Sequence, residues 1–219
     1  MQTQTGSSLT RRSMIAAALR SGFLLACPAV LRGQDDVAVE PQPYFASVGR
    51  VIQGLRSLGA PLAPADAERI TRLTAVPSPA NVQAAETILA RYTLMRVRLN
   101  PDGTALTAAG DSSRELVEQG WRAFLIRVEN PGALAVALTS ISQAAVPEGS
   151  LSRQMAISRE PGLAIGNLDG AADYARRWMG FKFFGSPPLA AALSGLAIEY
   201  RIVDIFSRDS GRKSAYLQA

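Results

Sequence analysis

The sequence predicts a mainly β protein with a small helical part. The expected architecture is an antiparallel β-sandwich of immunoglobulin or fibronectin type, preceded by two to three short α-helices. Three observations carry this expectation. Apolar residues between positions 44 and 91 recur at helical spacing. From Tyr92 onward they alternate with a period of two, in short runs separated by Asn-Pro, Pro-Gly and Gly-Ser-Pro-Pro. Those runs show no intervening crossover helices, which favours antiparallel pairing.

The first 33 residues stand apart. They hold Arg11, Arg12, Arg20 and Arg32 and no acid, so the rest of the chain carries 19 basic against 18 acidic residues. The pI of 9.9 therefore reports mainly this segment, and a nucleic-acid-binding body is not indicated. Thr10-Arg11-Arg12-Ser13-Met14-Ile15 precedes a weakly apolar stretch ending near Leu31. A paired arginine before such a stretch reads as a twin-arginine export signal over 1–33, which predicts a periplasmic or extracellular protein. Gly33-Gln34 is the expected cleavage point, with Ala29 as the competing one. Arg20 and Pro28 make the stretch a poor permanent membrane span. Cys27 follows Leu24-Leu25-Ala26, a loose lipobox, so it is a candidate lipidation site; the competing reading is a small apolar residue in a discarded signal.

Residues 34–43 read as a linker, with Asp35, Asp36, Pro41 and Pro43. The helical segment spans 44–91. Its first helix runs from Tyr44 to Leu58 on Phe45, Val48, Val51, Ile52 and Leu55, and Gly59 stops it. A second starts near Pro64-Ala65-Asp66 and carries Ile70 and Leu73 inward. A third follows Ser78-Pro79, a cap and a first-turn proline, and runs to about Tyr92.

The β domain is expected over 92–219. Met95, Val97 and Leu99 form one strand face before the turn Asn100-Pro101-Asp102-Gly103. Phe124, Ile126 and Val128 form another before Asn130-Pro131-Gly132, and Leu134, Val136 and Leu138 a third. Met179, Phe181 and Phe183 precede Gly185-Ser186-Pro187-Pro188. Leu196, Ile198, Tyr200 and Ile202 share one face of a strand, with Glu199 and Arg201 on the other. The regularity of this strand places it inside the sheet. The stretch 143–177 gives a loop and a short helix near 170–178. Ser214 to Ala219 reads as the opening of a further strand returning beside the 196–205 strand, so the domain is expected to be incomplete at its C-terminus.

Two segments resemble a known family. One is Glu115-Leu116-Val117-Glu118-Gln119-Gly120-Trp121-Arg122 followed by Phe124-Leu125-Ile126-Arg127-Val128 and Asn130. The other comprises Pro188-Leu189, Leu193-Ser194-Gly195-Leu196, Glu199-Tyr200-Arg201-Ile202-Val203 and Ser207-Arg208-Asp209 with Gly211-Arg212-Lys213. Both resemble the N-terminal, non-catalytic region of exported PHP-type (polymerase and histidinol phosphatase) metallohydrolases of the carbaryl-hydrolase-like group. Arg98-Leu99-Asn100-Pro101 fits the same pattern, and the resemblance covers roughly 44–219. It implies a non-catalytic accessory region, the metal-binding catalytic domain of that family lying C-terminal to it. No catalytic residue carries over.

Composition narrows the chemistry further. The chain has no His and one Cys, which removes His-ligated zinc, Ser-His-Asp and Cys-His units and intrachain disulfides. Four groups remain as candidates. Asn167-Leu168-Asp169-Gly170 with Asp173 faintly suits calcium, though Asp169 capping a helix explains the same residues. Glu199, Asp204 and Asp209 are candidate acid/base carboxylates. Their structural reading is a Glu199–Arg201 cross-strand pair on a solvated face and Asp209 shaping the turn at Gly211. Lys182 and Lys213 could serve a Ser-Lys dyad, but no serine has a recognised spacing from either. Trp121, Trp178, Phe181, Phe183 and Tyr200 could form a sugar-binding platform or core aromatics.

No catalytic, metal or cofactor site is therefore expected. The expected function is an exported, non-catalytic accessory or interaction domain. The alternatives are a truncated N-terminal part of a PHP-type hydrolase and a carbohydrate-binding sandwich. The expected partner is the missing catalytic domain or another protein at the C-terminal sheet edge, with self-association possible there. No nucleic acid is expected, and no membrane after cleavage unless Cys27 is lipidated.

Overall fold

Three helices and one five-stranded sheet make up the described part of the chain. The computed structural model describes residues 38–138, 142, 144–145, 177–213 and 215. The segment expected to be an export signal, with Arg11 and Arg12, as well as Cys27 and residues 167–173, lies outside these residues.

The helices are α1 (Pro41–Ser57), α2 (Pro64–Thr74) and α3 (Pro79–Ala90). Each begins with proline in its first turn, where a missing N–H has no cost. Ser78 caps α3 by accepting from the Asn81 N–H at 3.2 Å, as the sequence predicts. The first helix starts at Pro41, so the last three residues assigned to a linker belong to its first turn. Among the described residues no helix is long and apolar enough to cross a membrane.

The strands are β1 (Thr93–Leu99), β2 (Ala105–Ala109), β3 (Gly120–Glu129), β4 (Met179–Phe183) and β5 (Ile198–Ser207), in the order β2-β1-β3-β5-β4. The turn after β1 forms as expected. Gly103 adopts φ +82 and donates to Asn100 O at 2.9 Å, while Asp102 Oδ1 accepts from the Thr104 N–H and hydroxyl.

The wholly antiparallel expectation is corrected, because β1 pairs parallel with β3 in a mixed sheet. The β1–β2 hairpin has already returned the chain to the starting end of β1. Residues 110–119 then only step across to β3, so parallel pairing needs no crossover helix. Gly110 permits that step, since a Cβ there would fall 2.0 Å from the Thr93 carbonyl oxygen. The described residues form one sheet, with α1–α3 on one of its faces and no second sheet among them. Leu134–Leu138 is not a ladder strand; it makes one isolated bridge, Ala137 to Ala192. Asn130 explains why, since its side chain bonds the Leu134 N–H and C=O, both at 2.9 Å, and tightens the chain into a turn.

The placement of the 196–205 strand inside the sheet holds, since β5 lies between β3 and β4. Over Val203–Ser207 both its edges are taken, by β3 and β4; the C-terminal segment expected to return beside it lies, apart from Ala215, outside the described residues.

The core has two halves. Tyr44, Val48 and Val51 of α1, Ile70 of α2 and Val82 and Leu89 of α3 pack on Leu125, Tyr200 and Ile202. On the opposite face lie Met95, Val97, Phe124, Ile126, Val203 and Ile205. Since both faces of β5 are covered, the prediction of a solvated Glu199–Arg201 face is corrected too. These residues are 1% and 5% exposed.

Candidate functional site

The carboxylates of the expected acid/base group do not meet. Successive strand residues point to opposite faces at about 3.3 Å per residue, so Glu199 and Asp204 lie on opposite sides of β5, about 16 Å apart along it. Glu199 is fixed as a clamp. Its Oε1 accepts from the Ser194 and Leu196 N–H groups at 2.9 Å each, and its Oε2 from Arg201 at 2.9 Å. Arg201 in turn donates to Ala192 O at 2.7 Å and Tyr200 O at 3.0 Å. Burial pulls the Arg201 guanidinium down from its ordinary value, and Glu199 opposes that pull. The pair thus secures the 192–196 turn on which the end of the sheet rests.

Asp204 shares the helix-side face with Lys182, its register partner on β4. Burial raises the Asp204 carboxyl, and the lysine offsets part of the rise. Asp209 sits beyond the end of β5. Its carboxylate takes Arg208 Nε at 2.7 Å and Lys213 Nζ at 3.3 Å, and the Arg208 hydrogen bond leads in holding its pKa at about 2. It therefore stays an acceptor near neutral pH and has no proton to give. Lys213 is engaged in this pair, which leaves no Ser-Lys dyad there.

The aromatic residues also separate. Trp121, 43% exposed, packs with Phe206 at 5.4 Å between centroids, and the buried Tyr200 contacts Tyr44 at 6.5 Å. Phe181 and Phe183 meet edge-on at 5.3 Å and join Trp178 on the opposite face. No single platform brings the five together.

Two features have no precursor in the sequence reading. The first is a polar cluster under α3. Arg127 Nε donates to Glu86 at 2.8 Å and its other arm to Glu129, which also faces Arg98 at 3.6 Å. Burial pulls the Arg127 guanidinium down, but Glu86 and Glu129 outweigh it and the net shift is upward. Beside it lie the buried hydroxyls of Tyr44 and Tyr200, and burial raises both phenols. The cluster ties α3 to the sheet. Its one signal in the sequence is the i,i+2 pair Arg127/Glu129 at the end of the apolar run Ala123–Ile126.

The second feature is an open cleft of about 780 Å³ between the 113–118 loop and residues 207–213. Trp178 lies in its wall, and the Arg208 N–H donates to Trp178 O at 2.8 Å, which aligns the start of β4 with the end of β5. Arg114, Arg212, Glu115 and Glu118 also line it and make no ion pair among the described residues. Such a lining can hold a partner by charge and stacking. Among the described residues no group of three or more His, Cys, Asp or Glu is placed to hold a metal ion. Set against family models, curated proteins and solved structures, the chain matches none of them.

Proposed function

We propose that the chain is an exported, non-catalytic interaction domain. The observation that carries the reading is the fate of its carboxylates. Glu199 is a buried clamp, Asp209 is held ionised by Arg208, and Asp204 stands alone against Lys182 on the other face. Groups fixed in this way support binding surfaces and not proton transfer. Export rests on the Arg11-Arg12 pattern.

The resemblance to the N-terminal region of exported PHP-type metallohydrolases supports an accessory role. The residues that carry it are fold-making: Gly120–Asn130 is β3 with its closing turn, and Glu199–Val203 with Leu193-Ser194-Gly195 is β5 with the turn it clamps. The same motifs favour a second reading, an N-terminal part of such a hydrolase. A downstream reading frame encoding a His-x-His motif would decide for that second reading.

The test of the first is direct. The purified full chain, loaded with zinc or manganese, should give background turnover of ester and phosphodiester substrates. Metal-dependent turnover that a chelator abolishes would overturn it.

A further inference from the structure

The two outer edges of the sheet are treated differently. At β4 the edge is occupied at its start, where the Met179 N–H donates to Ala144 O at 3.1 Å and Ala145 bridges Met179 in parallel. Lys182 then stands exposed within the strand, a charge of the kind that discourages pairing. Among the described residues β2 has neither protection. Its residues Ala105-Leu106-Thr107-Ala108-Ala109 contain no charge and no proline, and all but Ala105 are exposed, Leu106 by 61%.

The hydrogen-bond phase of β2 follows from its two ends. Asn100 N–H donates to Thr104 O and Gly110 N–H to Leu94 O, both at 2.8 Å. Antiparallel ladders alternate bonded and non-bonded pairs, so Leu106 and Ala108 direct their backbone groups at β1. Ala105, Thr107 and Ala109 direct theirs away from the sheet, where among the described residues no strand pairs with them.

We infer that β2 is a homodimerisation edge, pairing antiparallel with β2 of a second copy about a two-fold axis at Thr107. The strand is nearly symmetric about that residue. Thr107 faces its own counterpart, and Ala105 faces Ala109 of the partner subunit, so the outward groups close about six backbone hydrogen bonds. A threonine opposite a threonine is a favourable cross-strand pair. Small alanines flank it, and the two charges on the adjoining strand, Arg96 and Arg98, are already engaged by Asp111 at 2.8 Å and Glu129 at 3.6 Å. One short strand per subunit buries little area, which gives a weak, micromolar dimer. This inference does not depend on the proposed function.

Sedimentation velocity of the full chain from about 5 to about 500 µM tests it, since weak interfaces of this size assemble in that range. The wild type should move from monomer to dimer. Thr107→Lys sets like charges opposite each other, and Thr107→Pro removes an outward N–H that β1 does not use. Both should sediment as monomers throughout, with unchanged far-ultraviolet circular dichroism at low concentration. If Thr107→Pro fails to fold, Thr107→Lys decides alone. A wild type that is monomeric over the whole range, or a dimer that Thr107→Lys leaves intact, overturns the inference.

Discussion

Replacing Glu199 by alanine tests how the buried clamp holds the sheet together. The carboxylate is 1% exposed and takes hydrogen bonds from two backbone N–H groups and from Arg201. Its removal leaves the Arg201 guanidinium buried without a counter-charge. Breaking a buried pair by deleting one partner costs about 3–5 kcal/mol. The orphaned Ser194 and Leu196 N–H groups cost about 1–3 kcal/mol each when left dry, although water entering the vacated space restores part of this. The expected loss is thus about 4–6 kcal/mol, a large share of the roughly 5–15 kcal/mol available to a domain. Urea unfolding followed by circular dichroism measures it, with an unchanged m-value showing that the unfolded state is comparable. Glu199→Gln keeps one acceptor oxygen and should lose about half as much. The double replacement Glu199→Leu/Arg201→Met should recover most of the loss, because it removes both charges together. A loss below about 1 kcal/mol for Glu199→Ala would refute the reasoning, since it would mean that Arg201 reaches solvent on its own.

Two further outcomes follow from single positions. Gly110→Ala places a Cβ against the Thr93 carbonyl, which cannot step aside, and should cost about 1–3 kcal/mol; Gly49→Ala, in open space on α1, should leave the thermal midpoint unchanged or raise it. Equal midpoints for the two would argue against the close approach at Gly110. Asp204→Asn should raise the thermal midpoint at pH 7. Burial lifts this carboxyl above its unfolded value, so its favourable contribution exists below about pH 4 and is lost as pH rises through the folded value. The gain should vanish in acid, and a midpoint lowered at pH 7 would show that Lys182 attraction outweighs burial.

Local signals were legible wherever a residue acts on its own neighbours. Pro64, the Ser78-Pro79 cap and the Asn100–Gly103 turn all sit where the sequence puts them, because capping and turn chemistry reach only three or four residues. Strand faces were legible while one side was apolar, as in Met95, Val97 and Leu99. The reading failed at Glu199 and Arg201, whose alternation with apolar residues imitates a half-solvated strand. Burial there depends on the 192–196 turn supplying N–H groups and a carbonyl, which no periodicity reports. Parallel pairing of β1 with β3 was equally invisible, since strand direction is set by where residues 110–119 carry the chain. The Trp178 cleft escaped for a related reason. Its walls, 113–118 and 207–213, lie some ninety residues apart and are irregular in both places.

The order in which the chain is made gives the position of β5 a kinetic meaning. β5 joins β3 to β4, and its Ile202 lies so close under α1 that a Cβ at Gly54 would come within 2.9 Å of it. The earliest helix therefore waits for residues about 150 positions later before it has a sheet to rest on. Chains whose decisive contacts are this distant fold slowly, and a ribosome adding about 5–20 residues per second leaves α1–α3 and β1–β3 exposed for several seconds. During that interval the backbone groups of Phe124, Ile126 and Val128 have no antiparallel neighbour. A nascent chain halted near Asn130 would thus present a bare edge at β3 as well as at β2, and would be the form most dependent on a chaperone.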